Sequence, residues 1–476
     1  MVRKKKTNDE VKSFKIGSAW DRLDAKEQKL LDKRCSDYLE FITACKTERA
    51  TIEYIKAKAE KAGFKPLPKL GKGKKLKAGS KVMFLNNNRA LCLAIIGKRP
   101  ADEGFRLVAA HADVPRLDCK TMPLYEKGNL ALFKTHYYGG IKKFQWATIP
   151  LSLHIFAVDK AGKTVSFVIG EKPGDPVFTI SDIAIHLAQK QQMKRLTNEA
   201  VTGEELNIVV GSIPFKSEPE TPNRVRTMVL SELKKQFGLT EEDIAWSEIN
   251  AVPAMKAAEV GFDRGLIGAY GHDDRACAYA AYQAFSEIDV PEHTAAVMFM
   301  DKEEVGSAGP NGAQSRVVMD LISMLTEAAS GETSLAAIRN ATRETMAISA
   351  DTSAALDPSF EQAYDPLNSG YLGKGAWICK FGGKAGKSGS LEVDIEFLAK
   401  LRKMFNEEDI PYQFGEMGKV DEGGGGTIAV MLANNNMQVV DLAIPVMSLH
   451  SPFELISKVD YHYATSAYKA FMKNHY

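Results

Sequence analysis

Short, fully apolar runs that each stop at a histidine or a carboxylate constrain this chain more than any other feature. Leu107-Val108-Ala109-Ala110 runs into His111-Ala112-Asp113, Val297-Met298-Phe299-Met300 into Asp301-Lys302-Glu303-Glu304, and Ala347-Ile348-Ser349-Ala350 into Asp351. Runs of this length are strand-sized, and a strand apolar on both faces has to be covered on both. The second half of the chain repeats the theme: a helix over 275–288, a strand over 295–300, a helix over 312–329, then strands over 345–349 and 376–381. A helix over 391–405, a Gly-rich turn into a helix over 427–433, a strand over 439–444 and a closing helix from Pro452 complete it. This alternation predicts an α/β fold, a sheet covered by helices on both faces, with ligands gathering beyond the strand ends.

The first half is less regular. Leu30, Leu31, Tyr38, Leu39, Phe41, Ile42, Ile52, Tyr54 and Ile55 recur at helical spacing among charged residues, so the opening 65 residues read as helical up to Ala62-Gly63. The lysine-rich 65–81 stretch, broken by Gly and Pro, reads as a solvated loop. Strands are expected at 82–85, 90–96 and 105–110. From about Pro123 to Phe262 a separate mixture of strands (130–137, 151–158, 164–169, 206–210) and helices (183–194, 224–237) marks a candidate insertion.

With 62 Lys+Arg against 60 Asp+Glu, the formal charge of +2 leaves no general nucleic-acid footprint. The longest apolar runs, such as 90–96, fall far short of the roughly 18 residues of a membrane helix. Arg3-Lys4-Lys5-Lys6 is followed by Thr7-Asn8-Asp9-Glu10, where a signal peptide would be apolar. Six cysteines lie far apart with no Cys-x-x-Cys pair, so neither a disulfide framework nor a thiolate metal knuckle is suggested. A cytoplasmic chain with no nucleic-acid or membrane partner is expected.

Chemistry rests on the strand-end residues. His111 with Asp113 two positions on suits a metal ligand whose second ring nitrogen is oriented by a carboxylate, although a capped or core histidine explains such a pair at least as often. Glu303 and Glu304 point in different directions, so one can ligate a metal while its neighbour faces a bound water; two exposed loop glutamates would look the same. Asp273, Asp351 and His450 share this placement. Together His111, Asp273, Glu304, Asp351 and His450 make a hard-ligand set for two zinc ions with one carboxylate bridging. Three carboxylates against two divalent ions leave one positive charge, which a bridging hydroxide cancels. Cobalt or manganese suits the same oxygen and nitrogen donors.

Two other signals are set aside. The 382–388 stretch Gly-Gly-Lys-Ala-Gly-Lys-Ser misses a P-loop because Phe381 stands where its first Gly belongs. Gly423–Gly426 can cradle an anion at a helix start or serve as a flexible turn. His136, His154, His186, His272, His293, His462 and His475 fall within helix or strand patterns and are assigned no chemistry.

Taken together, these residues resemble the aspartyl aminopeptidase family of dinuclear zinc exopeptidases, over nearly the whole chain and in the same order. The family's His-x-Asp looks like 111–113, its Asp-x-Glu-Glu-Val-Gly-Ser like 301–307 and its Gly-Ala-x-Ser like 312–315. Its Ser-Ala-Asp looks like 349–351 and its His-Ser-x-x-Glu like 450–454. The resemblance implies that Asp273 bridges two metals, that His111 and Asp351 complete one site and Glu304 and His450 the other, and that Glu303 is the general base. Asp113 stands with Glu303 in the catalytic set. The implied architecture is a zinc-exopeptidase-like α/β/α catalytic domain, 1–122 and 263–476, with a smaller inserted α+β dimerisation domain, 123–262, in a large homo-oligomer built from dimers. The implied activity is a metallo-aminopeptidase acting on short peptides with a free amino terminus, and in the family acidic first residues are preferred.

Departures from the family pattern cluster around substrate recognition. His272-Asp273-Asp274 replaces the usual Leu-Asp-Asn, Ala354 stands for a histidine, Gly424 for a cysteine, and 147–150 lacks the usual charged residues. The family's substrate-side lysine falls on Cys379 or, one residue on, on Lys380, and a one-residue slip reverses the face of a strand. A catalytically silent assembly scaffold and a dinuclear zinc amidohydrolase acting on N-acylated amino acids are the alternative readings.

Overall fold

The computed structural model describes residues 16–70, 73–158, 162 and 164–474; the basic start, the 7–10 segment and His475 lie outside them. Four strands, Ala295–Met300, Arg106–His111, Met346–Ser349 and Gln438–Met447, run parallel side by side at the centre of a large sheet. Ala90–Ile95 flanks them antiparallel on one side, and Glu454–Ser457 with Leu266–Ala269 on the other. All six residues of Arg106–His111 are buried, because alternate side chains feed two different cores. Val108 and Ala110 pack with the helices Ala25–Ala44, His272–Ser286 and Lys458–Lys473, whereas Leu107 and Ala109 pack with Val317–Ser330 and Ala429–Ala433. The layers are therefore helix, sheet, helix, the α/β arrangement that the apolar runs predict.

Parallel register brings the strand ends level. Met300 pairs with His111, and Ser349 with Ala109, so His111, the 301–304 turn and Asp351 leave the sheet at one edge. The last helix begins at Lys458 rather than Pro452, because Glu454–Ser457 is first drawn into the sheet by Leu266–Ala269. The opening helical stretch is two helices, Ala25–Ala44 and Glu48–Lys61, capped by the side chains of Asp24 and Thr47.

A second sheet orders its strands Thr164–Ile169, Leu151–Val158, Glu248–Pro253, Arg116–Lys127, Leu130–Tyr138, Asn207–Gly211 and Thr179–Ile180. It has its own core of Leu117, Phe133, Trp146, Leu153, Ile155 and Ile249. A domain start at 123 falls inside Arg116–Lys127, since Pro123 sits where the register shifts between Cys119 and Leu124, a place where a strand tolerates proline. At the other end, Ala258–Val260 pairs with Leu266–Ala269 and so belongs to the large sheet.

Candidate metal centre

Beyond the edge where the parallel strands end, five side chains from five segments converge. Asp273 lies in the middle. Its Oδ1 is 3.2 Å from His111 Nε2 and its Oδ2 is 3.1 Å from His450 Nε2. Asp351 Oδ1 lies 3.7 Å from His111 Nε2, and Glu304 Oε1 lies 3.5 Å from His450 Nε2. Glu303 approaches from the same turn as Glu304, its Oε2 4.0 Å from His111 Nε2. The two histidines thus divide the carboxylates into two groups that share Asp273.

Both imidazoles are held the same way. His111 Nδ1 donates to the Asp113 carbonyl at 3.0 Å, and His450 Nδ1 donates to the Gly140 carbonyl at 2.8 Å. A carbonyl only accepts, so each Nδ1 carries a hydrogen, and each Nε2 faces carboxylate oxygens that offer only lone pairs. Lone pair facing lone pair is repulsive unless a proton or a cation lies between. The oxygens report the same shortage: Asp273 Oδ1, Asp274 Oδ1 and Glu304 Oε1 are buried and accept no hydrogen bond.

The electrostatics follow from crowding. Burial, then the charges of Asp351, Asp273 and Asp113 working against His111, pushes the Glu303 carboxyl up to about 8. Burial and Asp273 raise Glu304 well above its usual range, and burial raises Asp351. Asp273 moves the other way, because the two imidazoles beside it, His111 and His450, outweigh its burial whenever they carry a proton. Burial alone would lower His450, but Asp273 and Glu304 raise it to about 10. Once each Nε2 gives up its proton, two imidazole nitrogens and a surplus of carboxylate form a donor set that fits hard or borderline divalent cations.

Backbone groups and neighbouring carboxylates hold the site in shape. Asp113 accepts the amides of Glu303 at 3.1 Å and Glu304 at 3.2 Å. Glu454 accepts the amides of His450 at 2.7 Å and Asp273 at 3.1 Å, and Asp274 accepts the His111 amide at 3.2 Å. Lys302 and His450 take left-handed backbone conformations, φ 72° and 62°, that re-aim the chain at the site. Asp274, which also lies within ligand reach of His111 and Asp351, was not singled out from the sequence as a site residue; its signal was the acidic neighbour of Asp273.

A cavity of about 530 Å³ opens from these residues and is lined by Asp273, Glu303, Glu304, Asp351 and His450. Thr352, Ser353, Cys379, Phe381, Asp441 and the 423–426 glycines continue its wall. Lys380 is exposed and is not part of this lining. Cys379 and Phe381, one residue to either side, do line it, so strand alternation turns Lys380 to the other face.

Comparison with known proteins agrees with this geometry. Residues 41–472 match the family described as aminopeptidase I zinc metalloprotease (M18). The chain is 40% identical over 472 residues to a probable M18 family aminopeptidase 1 of Clostridium acetobutylicum, covering 98% of this chain and 100% of that protein. A crystal structure of an M18 family aminopeptidase from Thermotoga maritima superimposes with a TM-score of 0.91 at 37% identity, over 97% of this chain and 100% of that one. A structure of the S. cerevisiae mApe1 dodecamer, 18% identical, shares the fold with a TM-score of 0.75, over 94% of this chain and 97% of that one. The chain belongs to the M18 family of zinc metalloproteases and is a metallo-aminopeptidase, a hydrolase.

Proposed function

We propose that the protein removes amino-terminal residues from short peptides at a centre that holds two divalent ions, zinc first among them. The observation that carries this reading is Asp273, whose two oxygens face the Nε2 atoms of two different histidines. In this reading Asp273 would be shared by the two ions, His111 and Asp351 would complete the hold on one, and Glu304 and His450 on the other. Bound there, the ions supply Lewis acidity toward the scissile carbonyl and lower the pKa of water. Glu303 is the general base. A water beside it loses a proton to its carboxylate, attacks the carbonyl carbon, and Glu303 returns the proton to the leaving amine. Asp113 keeps Glu303 and Glu304 aimed by holding their amides.

The cavity lining bears on the first side chain. Glu416, Asp421 and Asp441 line it together with two lysines, Lys419 and Lys387, the latter engaged with Glu392 at 3.3 Å and lying over the Phe381 ring, while Lys380 does not. Lys387 and Lys419 are the cations of this wall that an acidic first side chain would meet. The second sheet, with its own core, is read as an inserted dimerisation domain. Val177, Ile185, Leu187, Met193, Leu196 and Ile213 are exposed on that segment, which supports a partner subunit and a large homo-oligomer. Among the described residues no helix is long and apolar enough to cross a membrane.

Glu303→Gln tests the reaction. It removes the base and keeps every proposed ligand, so turnover is expected to fall by at least ~100-fold with metal content unchanged. A variant that retains wild-type turnover contradicts the assignment.

A further inference from the structure

The metal centre is not built by the large sheet alone. The strand Leu130–Tyr138 of the second sheet ends at the site, and its last residue together with the two glycines that follow touches both sides of it. Tyr138 Oη donates to Asp113 Oδ2 at 2.7 Å, the same oxygen that accepts the Glu304 amide. Gly140 supplies the carbonyl that fixes His450, and Gly139 lies against Glu304, where a Cβ would come within 3.1 Å of Oε2. The Tyr138 ring is itself clamped, with the Arg116 guanidinium 4.0 Å and the Lys302 ammonium 5.2 Å from its centroid. Arg116 is buried and tied to Glu48 and Asp118, so the ring has little freedom to turn.

We infer that Tyr138 is a positioning residue through which the second sheet sets the metal centre. The Asp113 carboxylate holds the Glu303 and Glu304 amides while its backbone carbonyl holds His111, and Tyr138 donates a side-chain O–H to the carboxylate at Oδ2. Removing that donor leaves Oδ2 with the long Glu304 amide bond alone, so the carboxylate and the 303–304 turn that it holds are fixed less firmly. The inference rests on the two-metal reading of the site.

Cobalt titration followed by visible absorption, on wild type, Tyr138→Phe, Asp113→Asn and the double variant, decides the matter, with peptide hydrolysis measured alongside. Tyr138→Phe keeps the ring, the cation contacts and the fold. Cobalt affinity is expected to fall about tenfold or more, the usual cost of losing an outer partner of a metal ligand. In the Asp113→Asn background the same substitution is expected to change affinity by less than about twofold, because Tyr138 acts through Asp113. An unchanged affinity in Tyr138→Phe, or losses that simply multiply in the double variant, overturns the inference and leaves the aminopeptidase reading standing. Wild-type protein that binds cobalt but cleaves no peptide overturns that reading instead, and the cycle still decides the role of Tyr138.

Discussion

Asp273 presents one oxygen to each of two histidines, and this makes it the residue whose loss has the largest consequence. If it bridges, Asp273→Asn removes a charge from both sites at once, whereas His450→Ala empties only one. Metal analysis after dialysis is expected to give about two ions per chain for wild type, about one for His450→Ala and near none for Asp273→Asn. Equal losses in the two variants contradict a bridging Asp273. All five proposed ligands and Glu303 were legible in the sequence, because each follows an apolar strand or opens a helix, and strand ends are where an α/β sheet exposes its polar groups. Tyr138 and Gly140 were not legible. One acts through a hydroxyl and the other through a backbone carbonyl, and both come from a different sheet. Lys380 illustrates the opposite limit: its register on a strand was one residue from ambiguous, and strand alternation turned it out of the cavity.

Element by element, the short apolar strands were the easiest to read. Leu151–Val158, Thr164–Ile169 and Ala295–Met300 match the expected limits, since their composition leaves no other solution. Arg116–Lys127 and Glu248–Pro253 were missed, being interrupted by charges and proline that a bulge or a strand end accommodates. Glu454–Ser457 was read as helix; it lies between Gln438–Met447, just before it in the chain, and Leu266–Ala269, almost two hundred residues away. The helix His272–Ser286 is the element on which the site most depends, for Asp273 is its second residue. Gly271 precedes it at φ 71°, and a methyl group there would collide with the Arg275 guanidinium and approach Val114 Cγ1 to 2.9 Å. Gly271→Ala is therefore expected to lower unfolding free energy by at least about 2 kcal/mol, combining a left-handed backbone with overpacking. Chemical denaturation measures this, and a loss below about 0.5 kcal/mol would show that the turn relaxes freely.

At the scale of the whole molecule, the two sheets meet along a seam of ion pairs. Lys46 pairs with Glu171 at 2.9 Å, Arg49 with Glu248 at 2.9 Å, and Arg89 reaches both Glu48 at 2.6 Å and Glu248 at 2.5 Å. Burial would raise Glu248, but Arg49 and Arg89 outweigh it and lower its carboxyl from 4.5 to about 2. A carboxyl depressed in the folded state adds stability that is complete above its unfolded value and disappears as pH falls through its folded value. Glu248 is partly exposed, so the effect is modest. The melting-temperature advantage of wild type over Glu248→Gln is expected to hold from neutral pH to about 5, to shrink below it, and to vanish near pH 2. A gap that stays constant down to that pH contradicts the ion-pair account.

The central claim is that this architecture cleaves a peptide bond next to a free amine by means of bound metal. The most direct test is hydrolysis of a panel of aminoacyl chromogenic substrates, each free and N-acetylated, before and after chelation and after re-addition of zinc or cobalt. Hydrolysis confined to the free-amine substrates, lost on chelation and restored by metal, is the predicted result. Cleavage of the acetylated substrates, or activity indifferent to chelation, would contradict it.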